Sequence, residues 1–374
     1  MASLFSTRAL REYMTPIIHE KVLQLQQVLK EKSDTKQTFD MQKLLLQFTL
    51  DTFAEIGFGC NLELLASKEE HPFEIAFDDG NRISCARFTK PTWLWKFQRF
   101  FNLGSERRLR ESISEMNDFI VNLIKDAMKQ MESLKSTDTK DHPAFKNIMT
   151  ILLHNKKSIT PTEVRDIVLT GLEAGRNTTA ATLSWLFHWL SLNPRVEKKL
   201  REEIIAKLPG FRESDSYVPS YEALQNLPYM EATVLEVFRL SPSVPVIPYH
   251  CAHDTVLQDN TFIPAGTDVF LNLYAAGRLS SVWGSDVASF IPERFLDGQT
   301  GKLLKDPPAL CSSFSSGPRV CVGKNLAWLE IKMTVAAVVS HFTLSQEPEQ
   351  EVRPMLDLTL TMRNPLMMRV EAMD

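Results

Sequence analysis

One uninterrupted helical pattern constrains the fold of this chain more than any other feature of its sequence. The segment from Thr160 to Glu163 fits a capping box with proline at the first helical position. The apolar pattern then continues to Leu192, where Asn193-Pro194 ends it. At 1.5 Å per residue this helix is about 45 Å long. A helix of that length crosses the whole body of a domain, so the other elements have to pack around it.

The first half of the chain is predicted to be helical as well. Residues 8–31 carry apolar side chains at helical spacing, residues 41–56 repeat that pattern, and residues 106–134 form another helix. The segment SLKSTDTKDHPAFKN that follows is predicted to be a polar loop. An aromatic-rich stretch at residues 71–101 has two interpretations, since it either packs in the core or forms a mobile lid over an apolar pocket.

The character of the sequence changes after residue 250. The segment HDTVLQDNTFIPAGTDVFLN has β-branched residues, short alternation and a Pro-Ala-Gly turn, which predict a small sheet. The later segment DLTLTMRNPLMMRVEAM predicts a hairpin around Arg363-Asn364-Pro365. We find no internal repeat and no low-complexity linker, so residues 1–374 are predicted to form a single domain that is mainly α with minor β-structure.

Composition and charge exclude several classes of function. Of the 374 residues 44% are hydrophobic and 24% are charged, which is typical of a globular protein with a large core. The net charge is -4 and the basic residues are dispersed, so no nucleic-acid partner is indicated. The five cysteines are scattered without a CxxC pair, which favours a reducing compartment over a disulfide framework, a zinc ribbon or an iron–sulfur site. No signal peptide and no apolar run of about twenty residues are found.

The middle of the long helix, GLEAGRNTTAATLSW, is unusual for a buried helix. Its glycines each cost about 1 kcal/mol relative to alanine. On a helical wheel, small residues and hydroxyl groups share one side: Gly171, Ala174, Gly175, Thr178, Ala181 and Thr182. Either this strip packs closely against another helix, or a flat or bulky ligand lies against it. A threonine there can hydrogen-bond a reacting atom, and its hydroxyl can open the helix locally by bonding to a preceding carbonyl.

The segment FSSGPRVCVG, residues 314–323, places a cysteine between two glycines at the start of a predicted helix. Cys321 is therefore near unpaired helical N–H groups and close to Arg319, both of which favour thiolate over thiol. Gly317 and Gly323 allow unusual backbone angles and the close approach of a large group. A bent loop that offers N–H groups to one sulfur suits a metal thiolate. The alternative is a buried structural cysteine, and local physics leaves both interpretations open.

Several motifs resemble those of a known family. The pattern Phe314-x-x-Gly317-x-Arg319-x-Cys321-x-Gly323 is similar to the haem-binding loop of the cytochrome P450 monooxygenases. Three further segments, in the expected order, resemble the oxygen-groove motif, the ExxR helix and the PERF segment of that family: Ala174–Thr178, Glu236–Arg239 and Pro292–Phe295. The segments AGRNTTAATLSW, YAAGRLSSVWG and PTWLWKFQRFFNLGSERRL most resemble the eukaryotic fatty-acid ω-hydroxylase branch.

The resemblance implies a haem b cofactor and a role for each residue of the cysteine loop. Cys321 is expected to be the axial thiolate on the haem iron, where it favours cleavage of the O–O bond. Arg319 is expected to pair with a haem propionate, since a guanidinium suits a carboxylate. Phe314 is expected to pack beside the haem, and Gly317 and Gly323 belong to the same cofactor-binding loop.

The same resemblance assigns structural and substrate-binding residues. Glu236 and Arg239, three residues apart on one helical face, are expected to join Arg294 in a structural ion network. Without the resemblance, the pair is interpreted as a solvated helix salt bridge worth about a few tenths of a kcal/mol. The expected substrate pocket combines the small strip of the long helix with two segments, residues 244–248 and 358–361. Its residues are Gly171, Ala174, Gly175, Val244, Val246 and Leu360.

The oxygen-groove motif departs from the family at one position. Thr178 is expected to hydrogen-bond the oxygen substrate and to help deliver protons, but the acid that usually precedes this threonine is Asn177 here. An amide cannot donate and regain a proton as a carboxylic acid can, although it can hold a water molecule. We therefore expect slower oxygen activation, with more peroxide released per NADPH consumed.

The N-terminal part of the family fold has no counterpart in this sequence. Family members carry an N-terminal membrane anchor, an early β-sheet and a helix whose Trp and Arg contact the propionates, and Leu4-Phe5-Ser6 resembles the end of that helix. The chain is thus expected to be a cytochrome P450 fold that lacks its N-terminal portion. The full-length protein is expected at the membrane surface of the endoplasmic reticulum, on the cytosolic face.

The leading hypothesis for function is a haem-dependent monooxygenase. It takes electrons from NADPH-cytochrome P450 reductase and uses O2 to hydroxylate a hydrophobic, aliphatic substrate such as a long-chain fatty acid. A second hypothesis is a haem-thiolate hydroperoxide-rearranging enzyme, which Asn177 favours and Thr178 disfavours. A third is a degenerate, non-catalytic haem-binding fragment. NADPH dependence separates the first two, and the spectrum of the reduced carbon-monoxide complex tests the third.

Overall fold

The structure is a computed structural model in which short strands accompany a large set of helices. The residues that it describes are 5–67, 69–133, 147–155, 159–211, 213–214, 217, 219–305 and 313–373. Their α-helices are α1 (Thr7–Ala9), α2 (Thr15–Thr35), α3 (Met41–Phe58), α4 (Pro72–Thr89), α5 (Thr92–Phe101), α6 (Gly104–Ser133), α7 (Ile148–Asn155), α8 (Pro161–Leu192), α9 (Pro194–Lys207), α10 (Tyr221–Gln225), α11 (Pro228–Leu240), α12 (Leu273–Ala276), α13 (Ser280–Trp283) and α14 (Lys324–His341). A π-helical segment, Leu10–Met14, joins α1 to α2, and 3-10 turns occur at Pro209–Phe211, Pro292–Phe295 and Gly317–Arg319.

The long helix predicted between Thr160 and Leu192 is confirmed as α8. Its capping box is formed, because the Thr160 hydroxyl accepts a hydrogen bond from the Glu163 N–H at 3.2 Å and the Glu163 carboxylate accepts one from the Thr160 N–H at 2.8 Å. Asn193 ends the helix outside the helical conformation. With 32 residues α8 is about 48 Å long, and α3 packs along it more extensively than any other helix.

The strands of the described residues form small antiparallel sheets. They are β1 (Phe39–Asp40), β2 (Val246–His250), β3 (Thr255–Val256), β4 (Phe262–Ile263), β5 (Asp268–Asn272), β6 (Phe342–Gln346), β7 (Pro354–Leu356), β8 (Leu360–Met362) and β9 (Met367–Ala372). Strands β1, β9 and β6 lie side by side in that order, and the remaining pairs are β2–β5, β3–β4 and β7–β8. The sheet predicted after residue 250 is therefore confirmed, with Val246 paired to Asn272 at one end of β2–β5.

The hairpin predicted around Arg363-Asn364-Pro365 is wrong. Strand β8 on one side of this turn pairs with β7, and strand β9 on the other side pairs with β1 and β6. Met368 and Val370 of β9 are 0% and 4% exposed. A central position between two strands lets β9 bury these side chains and pair its backbone on both edges, which a terminal hairpin does not allow.

A continuous cluster of buried apolar side chains fills the space between the helices and β9. The apolar positions predicted from residues 8–31 and 41–56 lie in α2 and α3, where Ile18, Leu25 and Phe48 are fully buried. Each such side chain contributes about 1.5–3 kcal/mol to the free energy of folding. The helical predictions for these two segments are confirmed, and α6 confirms the helix predicted at residues 106–134.

The aromatic-rich stretch divides into two helices with different surroundings. Phe73 and Phe77 of α4 are buried, so the core interpretation is confirmed there. Helix α5 buries none of its residues, and Trp93 and Phe100 are 69% and 82% exposed, so the core interpretation is wrong for α5. Residues 134–146 of the predicted polar loop lie outside the described residues. Of the helices that are described, none combines the length and the apolar character needed to cross a membrane.

Candidate functional site

The cysteine loop, residues 314–323, leads directly into α14. Its arms are joined by a hydrogen bond from the Cys321 N–H to the Phe314 carbonyl at 2.8 Å. Gly317 has φ +64°, a left-handed conformation that glycine adopts without strain. The unusual angle predicted at Gly323 is wrong, because its φ of -85° is open to any residue.

Phe314 fixes this loop to the helices behind it. Its half-buried ring lies edge-on to Phe238 of α11, with ring centroids 5.4 Å apart, and is tilted against Trp328 of α14 at 6.2 Å. Phe238 and Trp328 contact each other at 5.9 Å. Since an aromatic pair contributes about 0.5–1.5 kcal/mol beyond its burial, the three rings hold the loop at the junction of α11 and α14.

The Cys321 thiol is free and exposed, three residues before the first residue of α14. The alternative of a buried structural cysteine is therefore wrong. A Cβ added at Gly323 would lie 3.9 Å from the Cys321 Sγ, and one added at Gly317 would meet nothing within 4 Å. Arg319 is exposed on the same loop. This side of the loop is open to a large group.

The donor set fits haem better than a bare metal ion. Within the described residues, no group of three or more His, Cys, Asp and Glu side chains could hold a metal. A bare ion takes several ligands from the protein, whereas haem iron takes its equatorial ligands from the porphyrin and needs an axial donor, for which a cysteine thiolate serves. The exposed Cys321 provides such a donor, so the residues present fit the cofactor that the sequence resemblance implies.

The middle of α8 has the back-bonded hydroxyl that the sequence predicts. The Thr178 Oγ1 donates to the Ala174 carbonyl at 2.7 Å, and the Thr182 Oγ1 donates to the Thr178 carbonyl at 2.8 Å. The helix stays continuous through both residues. Ala174 is exposed and Thr178 is half-buried, so the part of the strip that these two residues form is accessible.

The two glycines of the small strip are explained by helix packing. A Cβ added at Gly175 would lie 2.7 Å from the Phe53 ring of α3, and one added at Gly171 would lie 3.0 Å from it. A Cβ added at Gly57 of α3 would lie 3.1 Å from the same ring. Close packing against another helix is thus confirmed for these two positions. Their place in a substrate pocket stays a prediction.

The glutamate and arginine of the ExxR segment lie at the centre of a buried network. Glu236 and Arg239 are 0% and 1% exposed, and the guanidinium donates to both carboxylate oxygens at 2.7 Å. The Arg294 Nε lies 3.5 Å from the Oε1 of the same carboxylate. The structure therefore brings together the three residues predicted to form this network. The alternative of a solvated helix salt bridge is wrong, because both members of the pair are buried.

Arg239 also connects α11 to the chain that follows β5. Its guanidinium donates to the carbonyls of Gly277, Val287 and Ser289 at 2.7, 2.7 and 3.0 Å. A Cβ added at Gly277 would lie 2.0 Å from the Arg239 carbonyl oxygen, so no larger residue fits at this position. Gly277 was not predicted from the sequence, where the only local signal was its position after the Ala275-Ala276 pair in a short helical segment.

Hydrogen bonds of Leu360 connect the segments that carry the remaining predicted pocket residues. The Leu360 N–H donates to the Ser243 carbonyl at 2.9 Å, and the Leu360 carbonyl accepts from the Trp185 indole of α8 at 2.8 Å. The turn before β8 is thus tied both to α8 and to the segment that carries Val244 and Val246. Both valines are half-buried and Leu360 is buried.

A polar cluster next to the predicted oxygen groove was not expected from the sequence. The Asn177 side chain donates to the Glu173 Oε1 at 2.8 Å and accepts from the Arg176 guanidinium at 3.3 Å. Arg176 is 1% exposed and donates to Asp78 of α4 at 2.5 Å. Burial raises the pKa of Glu173 above its ordinary value. The spacing of four residues between Glu173 and Asn177 was the available sequence signal.

Comparison with known proteins identifies the class to which this fold and loop belong. The model of the cytochrome P450 family matches residues 2–370. Cytochrome P450 86B1 of Arabidopsis thaliana is 32% identical over 362 residues, which cover 95% of this chain and 64% of the relative. Cytochrome P450 94A1 of Vicia sativa is 33% identical over 358 residues, covering 92% and 66%. Cytochrome P450 704B1 of Arabidopsis thaliana is 31% identical over 398 residues, covering 98% and 75%.

The chain belongs to the cytochrome P450 family, a family of haem-thiolate proteins. It spans about two thirds of the length of the first two relatives, with 64% and 66% covered. The mainly helical fold with small sheets that the sequence predicts is the fold of this family.

Proposed function

We propose that this chain is the catalytic part of a haem-dependent monooxygenase. The observation that carries the proposal is the free, exposed thiol of Cys321 in a bent loop before α14. Cys321 supplies the axial thiolate of haem b, Arg319 pairs with a propionate carboxylate, and Phe314 packs beside the macrocycle. When bound, the haem supplies the chemistry that inserts an oxygen atom from O2 into a C–H bond.

The protein's own contribution at the oxygen groove is an oriented hydroxyl. The Thr178 Oγ1 donates its hydrogen to the Ala174 carbonyl, which leaves its lone pairs to accept a hydrogen bond from a proton donor in the groove. If the hydroxyl rotates, its hydrogen turns from that carbonyl to the reacting oxygen. The rotation brings a proton to the site, and the helix does not have to move. The Asn177 amide nitrogen has two hydrogens and gives one to Glu173; in this proposal the other is donated to a water molecule.

The pocket residues suit an aliphatic substrate. Val244, Val246 and Leu360 are apolar, and the hydrogen bonds of Leu360 to Ser243 and Trp185 bring their segments together. Burying apolar surface contributes about 25 cal/mol per Å², so a long alkyl chain gains affinity along such a wall. The resemblance of AGRNTTAATLSW and YAAGRLSSVWG to the fatty-acid ω-hydroxylase branch narrows the proposed substrate to a long-chain fatty acid.

The proposed partners follow from family membership. Electrons come from NADPH through NADPH-cytochrome P450 reductase, and O2 is the second substrate. The full-length protein works at the surface of the endoplasmic reticulum membrane, on its cytosolic face, where long-chain fatty acids partition.

The reduced carbon-monoxide spectrum tests the haem ligand. We expect the red-shifted Soret band of a thiolate-ligated haem in the unmodified protein, and its loss in Cys321→Ala. The matched control is Cys251→Ala, which removes a half-buried thiol from a loop before β3 and is expected to keep the band. A band that survives in Cys321→Ala contradicts the assignment. A protein without any such band supports the degenerate, non-catalytic fragment instead.

A hydroperoxide-rearranging enzyme is the second candidate function, and Asn177 is the observation that favours it. Such an enzyme starts from a substrate that is already oxygenated, so it needs neither NADPH nor the carboxylic acid that Asn177 replaces. Turnover of a long-chain fatty acid with reductase and NADPH is expected for the monooxygenase. Turnover of a fatty-acid hydroperoxide alone, with none of the free fatty acid, would establish the second candidate.

A further inference from the structure

The α8 polar cluster is made of Glu173, Arg176 and Asn177 with Asp78 of α4, and apart from Asn177 its members have no part in the function described so far. Its central feature is the fixed orientation of the Asn177 amide. The carbonyl oxygen of this amide accepts from the Arg176 guanidinium at 3.3 Å, and its nitrogen donates to Glu173 at 2.8 Å. Since an amide nitrogen only donates, the Glu173 oxygen in this contact has to be an acceptor.

The two residues are complementary in their chemistry. With a carboxylate at position 173, an aspartate at position 177 would place two carboxyl groups within hydrogen-bond distance, and like charges so close oppose each other's ionisation. The amide at position 177 removes this repulsion. The titratable carboxyl of this part of α8 is therefore at position 173, one helical turn before the position at which the family's acid is expected.

The charged and polar groups around Glu173 only partly offset the effect of burial on its pKa. The groups that face it are Arg176 and Asn177 of α8 with Asp78, Asn81 and Cys85 of α4. Arg176 is paired with Asp78, so its charge is largely compensated before it acts on Glu173. Burial, together with the charge of Asp78, raises the pKa of Glu173 against the effects of Asn81, Asn177 and Arg176. Cys85 stays a neutral thiol, because burial and Asp357 raise its pKa to about 12.

We propose that Glu173 supplies protons to the oxygen groove of this chain, with Asn177 as its positioning residue. The inference rests on the monooxygenase function proposed above. In that reaction one oxygen atom enters the substrate C–H bond and the other leaves as water, with electrons from NADPH and protons from the medium. Glu173 takes up a proton at its half-buried carboxyl and releases it towards Thr178. Thr178 follows Glu173 by five positions, a rise of about 7.5 Å along the helix, so water held by Asn177 carries the proton across.

An infrared titration tests the local claim without any turnover. The difference spectrum between the unmodified protein and Glu173→Gln is expected to contain the C=O stretch of a protonated carboxyl, which disappears with a midpoint above the ordinary glutamate value of 4.5. Asn177→Asp is expected to move this midpoint to higher pH, because it adds a second carboxyl next to the first. A midpoint at or below the ordinary value, or one that Asn177→Asp leaves unchanged, would overturn the inference.

Turnover then tests the role in proton supply. Glutamine keeps the acceptor for Asn177, so Glu173→Gln is expected to keep the fold and the carbon-monoxide spectrum. It is expected to lower product formed per NADPH about tenfold, less than a directly acting acid contributes, with a matching rise in peroxide. The coupling of the unmodified protein is expected to fall as pH rises through the raised pKa of Glu173, and that of Glu173→Gln to be independent of pH there. The control is Asp166→Asn, an exposed carboxyl on the same helix, with unchanged coupling expected.

The double variant Glu173→Gln/Asn177→Asp distinguishes a role of Glu173 in proton supply from a purely structural role in the packing of α4 against α8. It restores a carboxyl at position 177, so coupling is expected to recover if the acid is what matters. Failure to recover, or coupling in Glu173→Gln equal to that of the unmodified protein at every pH, would overturn the inference while the monooxygenase function stands. Absence of the thiolate-haem spectrum and of NADPH-dependent product in the unmodified protein would overturn the function, and the proton-supply role with it.

Discussion

Two buried glutamates, Glu236 of α11 and Glu330 of α14, have similar exposure and very different surroundings. Glu236 is 0% exposed and accepts hydrogen bonds from Arg239 through both oxygens and from the Ile291 N–H at 2.8 Å. Glu330 is 6% exposed, has Thr52 as its side-chain partner, and leaves its Oε1 without a hydrogen bond. The same side chain is thus buried with a charged partner in one place and with a hydroxyl group in the other.

The comparison shows that burial alone does not decide the charge of a side chain. Removing an ion from water costs several kcal/mol, which a well-placed opposite charge can offset. Arg239 supplies that charge to Glu236. Thr52 cannot supply it to Glu330, so burial raises the pKa of Glu330 to about 8 and the carboxyl keeps its proton at neutral pH. The first glutamate therefore orders a network of loops, and the second behaves as a neutral polar group in the core.

The largest effect on stability is expected when Glu236 loses its charged partner. Arg239→Ala leaves Glu236 buried without its ion pair and frees the carbonyls of Gly277, Val287 and Ser289. We expect the free energy of unfolding to fall by about 3–5 kcal/mol, measured by urea denaturation. Arg195→Ala is the control, since Arg195 is 54% exposed in its ion pair with Glu293 and should cost under about 1 kcal/mol. Equal losses in the two variants would contradict the role of burial.

The pH dependence of stability tests whether Glu330 is neutral in the folded protein. In the unfolded chain a glutamate has a pKa near 4.5, and in the folded protein Glu330 has one of about 8. Between these values the unfolded state has released its proton and the folded state has kept it, so the stability of the unmodified protein falls as pH rises. At about 1.4 kcal/mol per pKa unit, the loss is roughly 3 kcal/mol at pH 7.

Glu330→Gln has no proton to release, so this loss should disappear. Thermal unfolding is expected to give the variant a growing advantage over the unmodified protein as pH rises from below 4.5 to 8, and a constant difference above that. The control Glu202→Gln, on the exposed side of α9, is expected to follow the unmodified protein at every pH. A Glu330→Gln curve parallel to that of the unmodified protein would show that Glu330 ionises as an exposed glutamate does.

The smallest change in stability is expected at the exposed thiol. Cys321→Ala removes a side chain that is exposed to solvent, so the free energy of unfolding in the absence of haem should change by less than about 0.5 kcal/mol. Urea denaturation of the haem-free protein measures this change, in parallel with Arg239→Ala. A loss as large as that of Arg239→Ala would mean that Cys321 supports the fold, whereas we propose that it binds the cofactor.

Some of the site could be predicted from sequence because its signals are local. The cap at Thr160, the stop at Asn193 and the back-bonding of Thr178 depend on residues within one or two turns. The resemblance of the Cys321 segment to a haem-binding loop rests on ten consecutive residues. Each of these patterns predicts the same local structure wherever the segment lies in the fold.

Other features depend on residues that are far apart in the chain. Phe53 occupies the space beside Gly171 and Gly175. The segment GLEAGRNTTAATLSW contains no signal from which this packing partner could be predicted. Strand β9 pairs with β1, more than three hundred residues earlier, so the local hairpin pattern was misleading. Glu173 and Asn177 are near each other in sequence, yet the pKa of Glu173 also depends on Asp78 and Asn81 of α4, which lie far from it in the chain.

The long helix could be predicted from the sequence alone, and so could the mainly α fold class, the family and the positions of the cysteine loop and the ExxR pair. Which of these residues are buried, exposed or charged follows only from the folded structure. The physical reason is that helix capping and apolar periodicity are properties of consecutive residues, whereas desolvation, ion pairing and the space around a glycine depend on side chains that the folded chain brings together.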